Sequence, residues 1–130
     1  MTFAADLARF VEKTKADADK TVRAVCLEMG NSIIQMSPVD TGRFRGNWMH
    51  STGRPHRGTI ELEDPTGQVA SANLAAALRP VKAGSIEFIS NNLPYARKLE
   101  HGSSKQAPQG MVRVTATRFR ALLQKAVRDK

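Results

Sequence analysis

Ser37-Pro38-Val39-Asp40-Thr41-Gly42-Arg43-Phe44-Arg45-Gly46-Asn47-Trp48 governs how the rest of this chain is read. Pro38 pushes the residue before it out of the α region, so a helix arriving from the N-terminal side must stop there. Asp-Thr-Gly then makes a turn, in which Asp40 can bond its own backbone and Gly42 supplies a conformation that a side chain would strain. Phe44 and Trp48 start a new apolar pattern over 44–52, a strand or a short turn leading into one.

Upstream, Phe3, Leu7, Phe10, Val11, Thr14, Ala18, Val22, Val25, Met29, Ile33 and Met36 recur at steps of one, three or four residues. That spacing predicts one amphipathic helix over 1–36, about 50 Å long at 1.5 Å per residue. Gly30-Asn31 interrupts it, and because Gly costs about 1 kcal/mol against Ala in a helix interior, a bend or break is expected there.

Downstream, residues 43–90 form the sheet region. Gly53-Arg54-Pro55-His56-Arg57-Gly58 is an exposed loop, and Thr59-Ile60-Glu61-Leu62 alternates like a return strand. Asp64-Pro65-Thr66-Gly67 turns the chain, after which Ser71 is expected to cap a short helix over 71–79 that Pro80 ends. Ser85-Ile86-Glu87-Phe88-Ile89-Ser90 reads as a strand bounded by Gly84 and Asn91-Asn92. A short helix comes next over 94–101, with Pro94 in its first turn where the missing N–H is harmless. A loop over 102–110 and an amphipathic helix over 111–128 complete a single α+β domain, whose antiparallel sheet is expected to have three or four strands.

At 130 residues, with 41% hydrophobic but only 5% aromatic side chains, the chain supports one modest core. The single Cys26 excludes an intrachain disulfide and a cysteine-based metal site; lying on or beside the helix stripe, it is expected to be a small buried hydrophobe. No signal peptide or membrane-length apolar run is read, so the protein is expected to be soluble and initially cytoplasmic. The net charge of +8 is unevenly spread: residues 1–40 carry 5 basic and 6 acidic side chains, whereas residues 79–130 carry 11 basic and 3 acidic. The basic half can face polyphosphate or an acidic partner.

Taken with Asn92-Leu93-Pro94-Tyr95-Ala96-Arg97-Lys98-Leu99-Glu100-His101-Gly102-Ser103-Ser104-Lys105 and Ala107-Pro108, the opening stretch resembles the neck and tail-completion family of long-tailed bacteriophages, which includes the minor tail protein Z group. The resemblance spans nearly the whole chain. Its motif positions here are Asp40, Thr41, Gly42, Arg43, Trp48, Pro94, Tyr95, Ala96, Glu100, Gly102 and Pro108. It implies a structural virion protein that completes the tail and joins it to the DNA-filled head. The implied assembly is a homo-oligomeric ring, with six copies favoured over twelve. Its implied neighbours are the tail terminator, the head–tail connector or portal-associated proteins and the tail tube, with non-specific contact to genomic DNA.

In such a ring the working residues are contacts, and the candidates are Arg43, Arg45, Arg54, Arg57, Glu100, Lys105, Arg113 and Arg120. Glu100, in a basic neighbourhood, is expected to accept an ion pair from Arg43, Arg45 or Arg113. Trp48 is expected in the core, and Tyr95 at a core edge or an interface. No cofactor, metal or membrane partner is expected: the three histidines, His50, His56 and His101, lack zinc-ligand spacing and are expected at a surface or interface. Two other readings stay open. The basic C-terminal helix and Arg43 to Arg57 also suit a small DNA-binding or regulatory protein, although aromatic platforms for single strands are few. Asp40-Thr41-Gly42 is also the triplet of aspartic proteases, but Arg43 and Arg45 would pair with Asp40 or hold it ionised.

Overall fold

The structure, a computed structural model, describes residues 2–129. Helix α1 (Phe3–Met36) is followed by a single turn, α2 (Arg43–Gly46), and strand β1 (Met49–Thr52). Then come α3 (Gln68–Leu78), β2 (Glu87–Ser90), α4 (Ala96–Glu100), α5 (Val112–Thr117) and α6 (Phe119–Asp129). The architecture is α+β, as the patterning predicts, but the sheet has two strands rather than three or four. β1 and β2 pair antiparallel, Met49 opposite Ser90 and Thr52 opposite Glu87.

The expected return strand at 59–62 joins no ladder, and the Asn47 side chain takes the backbone groups of Ile60 instead. Asn47, 1% exposed, accepts from the Ile60 N–H at 2.9 Å and donates to the Ile60 carbonyl at 3.0 Å. That satisfies one residue's backbone and extends no ladder, so the segment runs alongside as irregular chain.

α1 begins where the Thr2 hydroxyl accepts from the Ala5 N–H at 3.2 Å, and it runs through Gly30 unbroken. The expected bend is absent because Gly30 is a packing position: a Cβ there would lie 2.3 Å from Leu74 Cδ2 and 3.2 Å from Ile89 Cδ1. The missing side chain lets α3 and the sheet close onto α1, and this burial outweighs the weak propensity. The helix stops at Ser37, whose hydroxyl donates to the Ile33 carbonyl at 2.7 Å and accepts from Trp48 Nε1 at 2.8 Å.

α3 starts three residues before the expected cap. Its first turn rests on Asp64, 3% exposed, whose carboxylate accepts from the Ala70 N–H at 2.7 Å. Ser71 lies inside the helix and donates to Asn31 of α1 at 2.6 Å. The predicted C-terminal helix is likewise two pieces. It breaks at Arg118, just after Thr115 and Thr117, whose β-branched side chains make their own bonds, to Ser32 at 2.8 Å and to the Val114 carbonyl at 2.6 Å. The break re-aims α6, so that Leu122 and Ala126 are buried while Phe119 and Val127 face out.

Two clusters make the core. Ile33, Phe44, Leu93, Ala107 and Met111 form one, and Ile34, Ala70, Leu74, Leu78 and Val81 the other; Trp48 packs against both. No helix among the described residues is long and apolar enough to cross a membrane.

Candidate functional site

The two signature segments, some fifty residues apart in sequence, meet on one face. Gln106 joins them: its amide accepts from the Val39 N–H at 2.9 Å and donates to the Val39 carbonyl at 3.0 Å. Asn91 adds a bond to the Phe44 carbonyl at 2.8 Å, and the Phe44 ring lies 6.1 Å from that of Tyr95 and 5.6 Å, edge-on, from that of Trp48. Between them opens a cleft of about 440 Å³, with Phe44, Tyr95 and Leu99 on its apolar side and Asp40, Thr41 and Ser104 on its polar side.

Gly42 locks the turn. It stands at φ 92°, and a Cβ would come within 2.3 Å of the Pro65 nitrogen, because its carbonyl accepts from the Asp64 N–H at 2.9 Å. Thr41 accepts from the Arg43 N–H at 3.2 Å, while Asp40 is exposed at the rim. Arg43 and Arg45 do not pair with Asp40, as the sequence suggests they would: Arg43 reaches Glu61 at 3.1 Å. Arg45 donates to the carbonyls of Gln35, Ser37 and Pro65 at 2.8, 3.0 and 3.0 Å, closing the orphan end of α1. Arg45 is therefore a clamp within the fold, not an outward contact.

In the second segment Pro94 and Tyr95 form the turn before α4, with Tyr95 39% exposed. Gly102, at φ 91°, ends α4. Its N–H bonds the Leu99 carbonyl and the Ser103 N–H bonds the Lys98 carbonyl, the Schellman arrangement. A Cβ on Gly102 would sit 2.5 Å from the Pro108 carbonyl oxygen, which brings the loop back so that Ala107 enters the core.

Of the three partners expected for Glu100, only Arg113 meets it, its Nε 3.2 Å away. The larger role of Glu100 is a cap, for its carboxylate accepts from the N–H groups of Met111, Val112 and Arg113 at 2.9, 2.9 and 3.0 Å. Burial acts to raise its pKa, but those three donors and the Arg113 side chain outweigh it, and the pKa lies below the ordinary carboxylate value. Glu100 and Arg113 thus leave the set of outward contacts. Arg54, Arg57, Lys105 and Arg120 remain exposed, and their side chains have no partner among the described residues. The loop bearing the first two is tied down by Asn92, which donates to the carbonyls of His56 and Gly58 at 2.8 and 3.1 Å.

His50 corrects the surface expectation. Its side chain is 4% exposed and its Nε2 lies 2.7 Å from Glu87 Oε1, which Thr52 also meets at 2.6 Å. Burial works to raise the pKa of Glu87, and the bonds from Ser85, Thr52 and His50 with the imidazole's charge bring it down on balance. Cys26 is half-buried against the second cluster; burial, then the charge of Glu87, pushes its thiol pKa up, away from nucleophilic use. Among the described residues no group of three His, Cys, Asp or Glu side chains could hold a metal ion. Gln106 and Asn47 were not legible as joints, because a lone amide carries no periodic signal. No protein-family model, curated protein or solved structure matches the chain.

Proposed function

We propose that this protein is a structural virion subunit of a bacteriophage neck or tail end, joining tail to DNA-filled head within a ring. The reading rests on the resemblance of the two signature segments, and one observation carries it furthest. Those segments fold into a single braced face, while Arg54, Arg57, Lys105 and Arg120 are left exposed and without partners among the described residues. Cations that do nothing for the fold suit contacts with an acidic ring surface or with passing phosphate. The same four groups also suit a small DNA-binding regulator, so the test must separate the two.

Arg54→Glu/Arg57→Glu and Lys105→Glu/Arg120→Glu variants supplied to a phage lacking the gene should leave heads and tails accumulating separately in electron micrographs of lysates. Normal joined particles would overturn the contact assignment. The wild-type protein should bind duplexes weakly, with affinity that collapses as salt rises and no preference between specific and random sequences. Selective binding that persists at physiological salt would instead favour a regulator.

A further inference from the structure

The loop at 53–58 carries more hydrogen-bond donors than the fold uses. It is held at its base by the Gly53 N–H, which donates to the Ile86 carbonyl at 2.8 Å. Three of its carbonyls are taken as well: Ser51 Oγ donates to that of Arg54 at 2.6 Å, and the Asn92 amide donates to those of His56 and Gly58 at 2.8 and 3.1 Å. The N–H groups of Arg54, His56, Arg57 and Gly58, by contrast, meet no acceptor among the described residues. Nor do the guanidiniums of Arg54 and Arg57. With Pro55, His56 and Asn92 these two arginines line an open hollow of about 810 Å³, and no acidic side chain is among its walls. Gly58 turns the loop at φ 91° with nothing within 4 Å of where a Cβ would stand, so the turn stays open to an incoming group.

We infer that this loop is a binding site for the backbone phosphates of DNA. An acidic side chain offers a single carboxylate, which one guanidinium fork fills. The donors gathered here exceed that, and they match a run of phosphates, whose oxygens take guanidinium and main-chain N–H groups together. The hollow is wider than one ion needs and has no ring to hold a base: Pro55 is its one apolar wall, so nothing stacks on a nucleobase and the contact follows backbone, not sequence. Bracing counts beside charge. Because Asn92 fixes two of the loop's carbonyls, both arginines project from a turn already set before any ligand arrives, and less ordering is left to oppose binding. The inference rests on the reading of Arg54 and Arg57 as contacts, and it narrows their partner from any acidic surface to phosphate.

Fluorescence anisotropy of a labelled random duplex of about 20 base pairs, titrated with the purified protein from about 20 to 150 mM salt, tests the site. Each phosphate contact adds about 0.9 to the slope of log K against log salt, so Arg54→Gln/Arg57→Gln should reduce that slope by about 2 and weaken binding at least about tenfold at about 50 mM salt. Arg9→Gln/Lys13→Gln removes the same charge from the exposed start of α1 and should leave the slope at its wild-type value. Asn92→Ala keeps both arginines but frees the loop; it should weaken binding several-fold with little change in melting temperature, since Asn92 is exposed. Unlabelled duplex should displace the probe at a far lower concentration of charge than poly-L-glutamate does. Equal losses in the two charge variants, wild-type binding by Asn92→Ala, or poly-L-glutamate as effective as duplex would each overturn the site. Such a failure beside unjoined heads and tails in the lysates would make Arg54 and Arg57 a protein contact. Normal particles beside loop-dependent duplex binding would keep the phosphate site and remove the joint.

Discussion

Asn47 takes up backbone groups that a third strand would have paired. Its amide nitrogen donates to Arg43 and Ile60 carbonyls at 2.8 and 3.0 Å, and its oxygen accepts from the Ile60 N–H. Asn47→Ala leaves those part-buried groups without their side-chain partner, so a loss of about 1–3 kcal/mol is expected in urea unfolding. A loss under about 1 kcal/mol would mean that segment 59–62 is held by other contacts. At this scale the sequence was readable where a residue's backbone restriction dictates its place, as at Pro38, Gly42 and Gly102. It was unreadable where a polar side chain could serve several neighbours. A basic neighbourhood marked Glu100 as an ion-pair acceptor, yet nothing in the spacing of Glu100 and Met111 announces that three backbone N–H groups would converge on it.

Helix α5 shows what that convergence does for an element. Six residues make too few internal bonds to stand alone, and Glu100 closes its open N-terminal end. Because the pKa of Glu100 is lowered by folding, its contribution is complete above the ordinary carboxylate range and is lost as pH falls through the lowered folded value. Glu100→Gln should therefore cost about 1–2 kcal/mol at pH 7, and the gap between it and wild type should narrow in urea titrations as pH falls below the ordinary carboxylate range. Glu87, also shifted down, is present in both proteins and cancels in the difference. A gap that stays constant through that fall in pH would remove the capping account. The long helix, the strand at 87–90 and the turn at Asp40 follow from periodicity and proline. The unbroken passage through Gly30 and the break at Arg118 do not, since both depend on what another element places against them: Leu74 at the first, Ser32 on Thr115 at the second.

For the whole molecule, charge is divided between two duties that composition cannot separate. Arg45 and Arg113 hold the fold, whereas Arg54 and Arg57 do not. Arg45→Ala should lower unfolding free energy by about 1–2 kcal/mol, chiefly through the part-buried Ser37 carbonyl because those of Gln35 and Pro65 can turn to water, while Arg54→Glu/Arg57→Glu should stay within about 0.5 kcal/mol of wild type. Equal losses from both would erase the division. Tertiary assembly also places the chain's only tryptophan where both core clusters meet, with its indole N–H on the hydroxyl that ends α1. Any opening of either half must change the solvent around that ring. Its fluorescence is thus a built-in optical gauge: one emission band, with no label attached, reports whether the two halves of the domain come apart together or in turn.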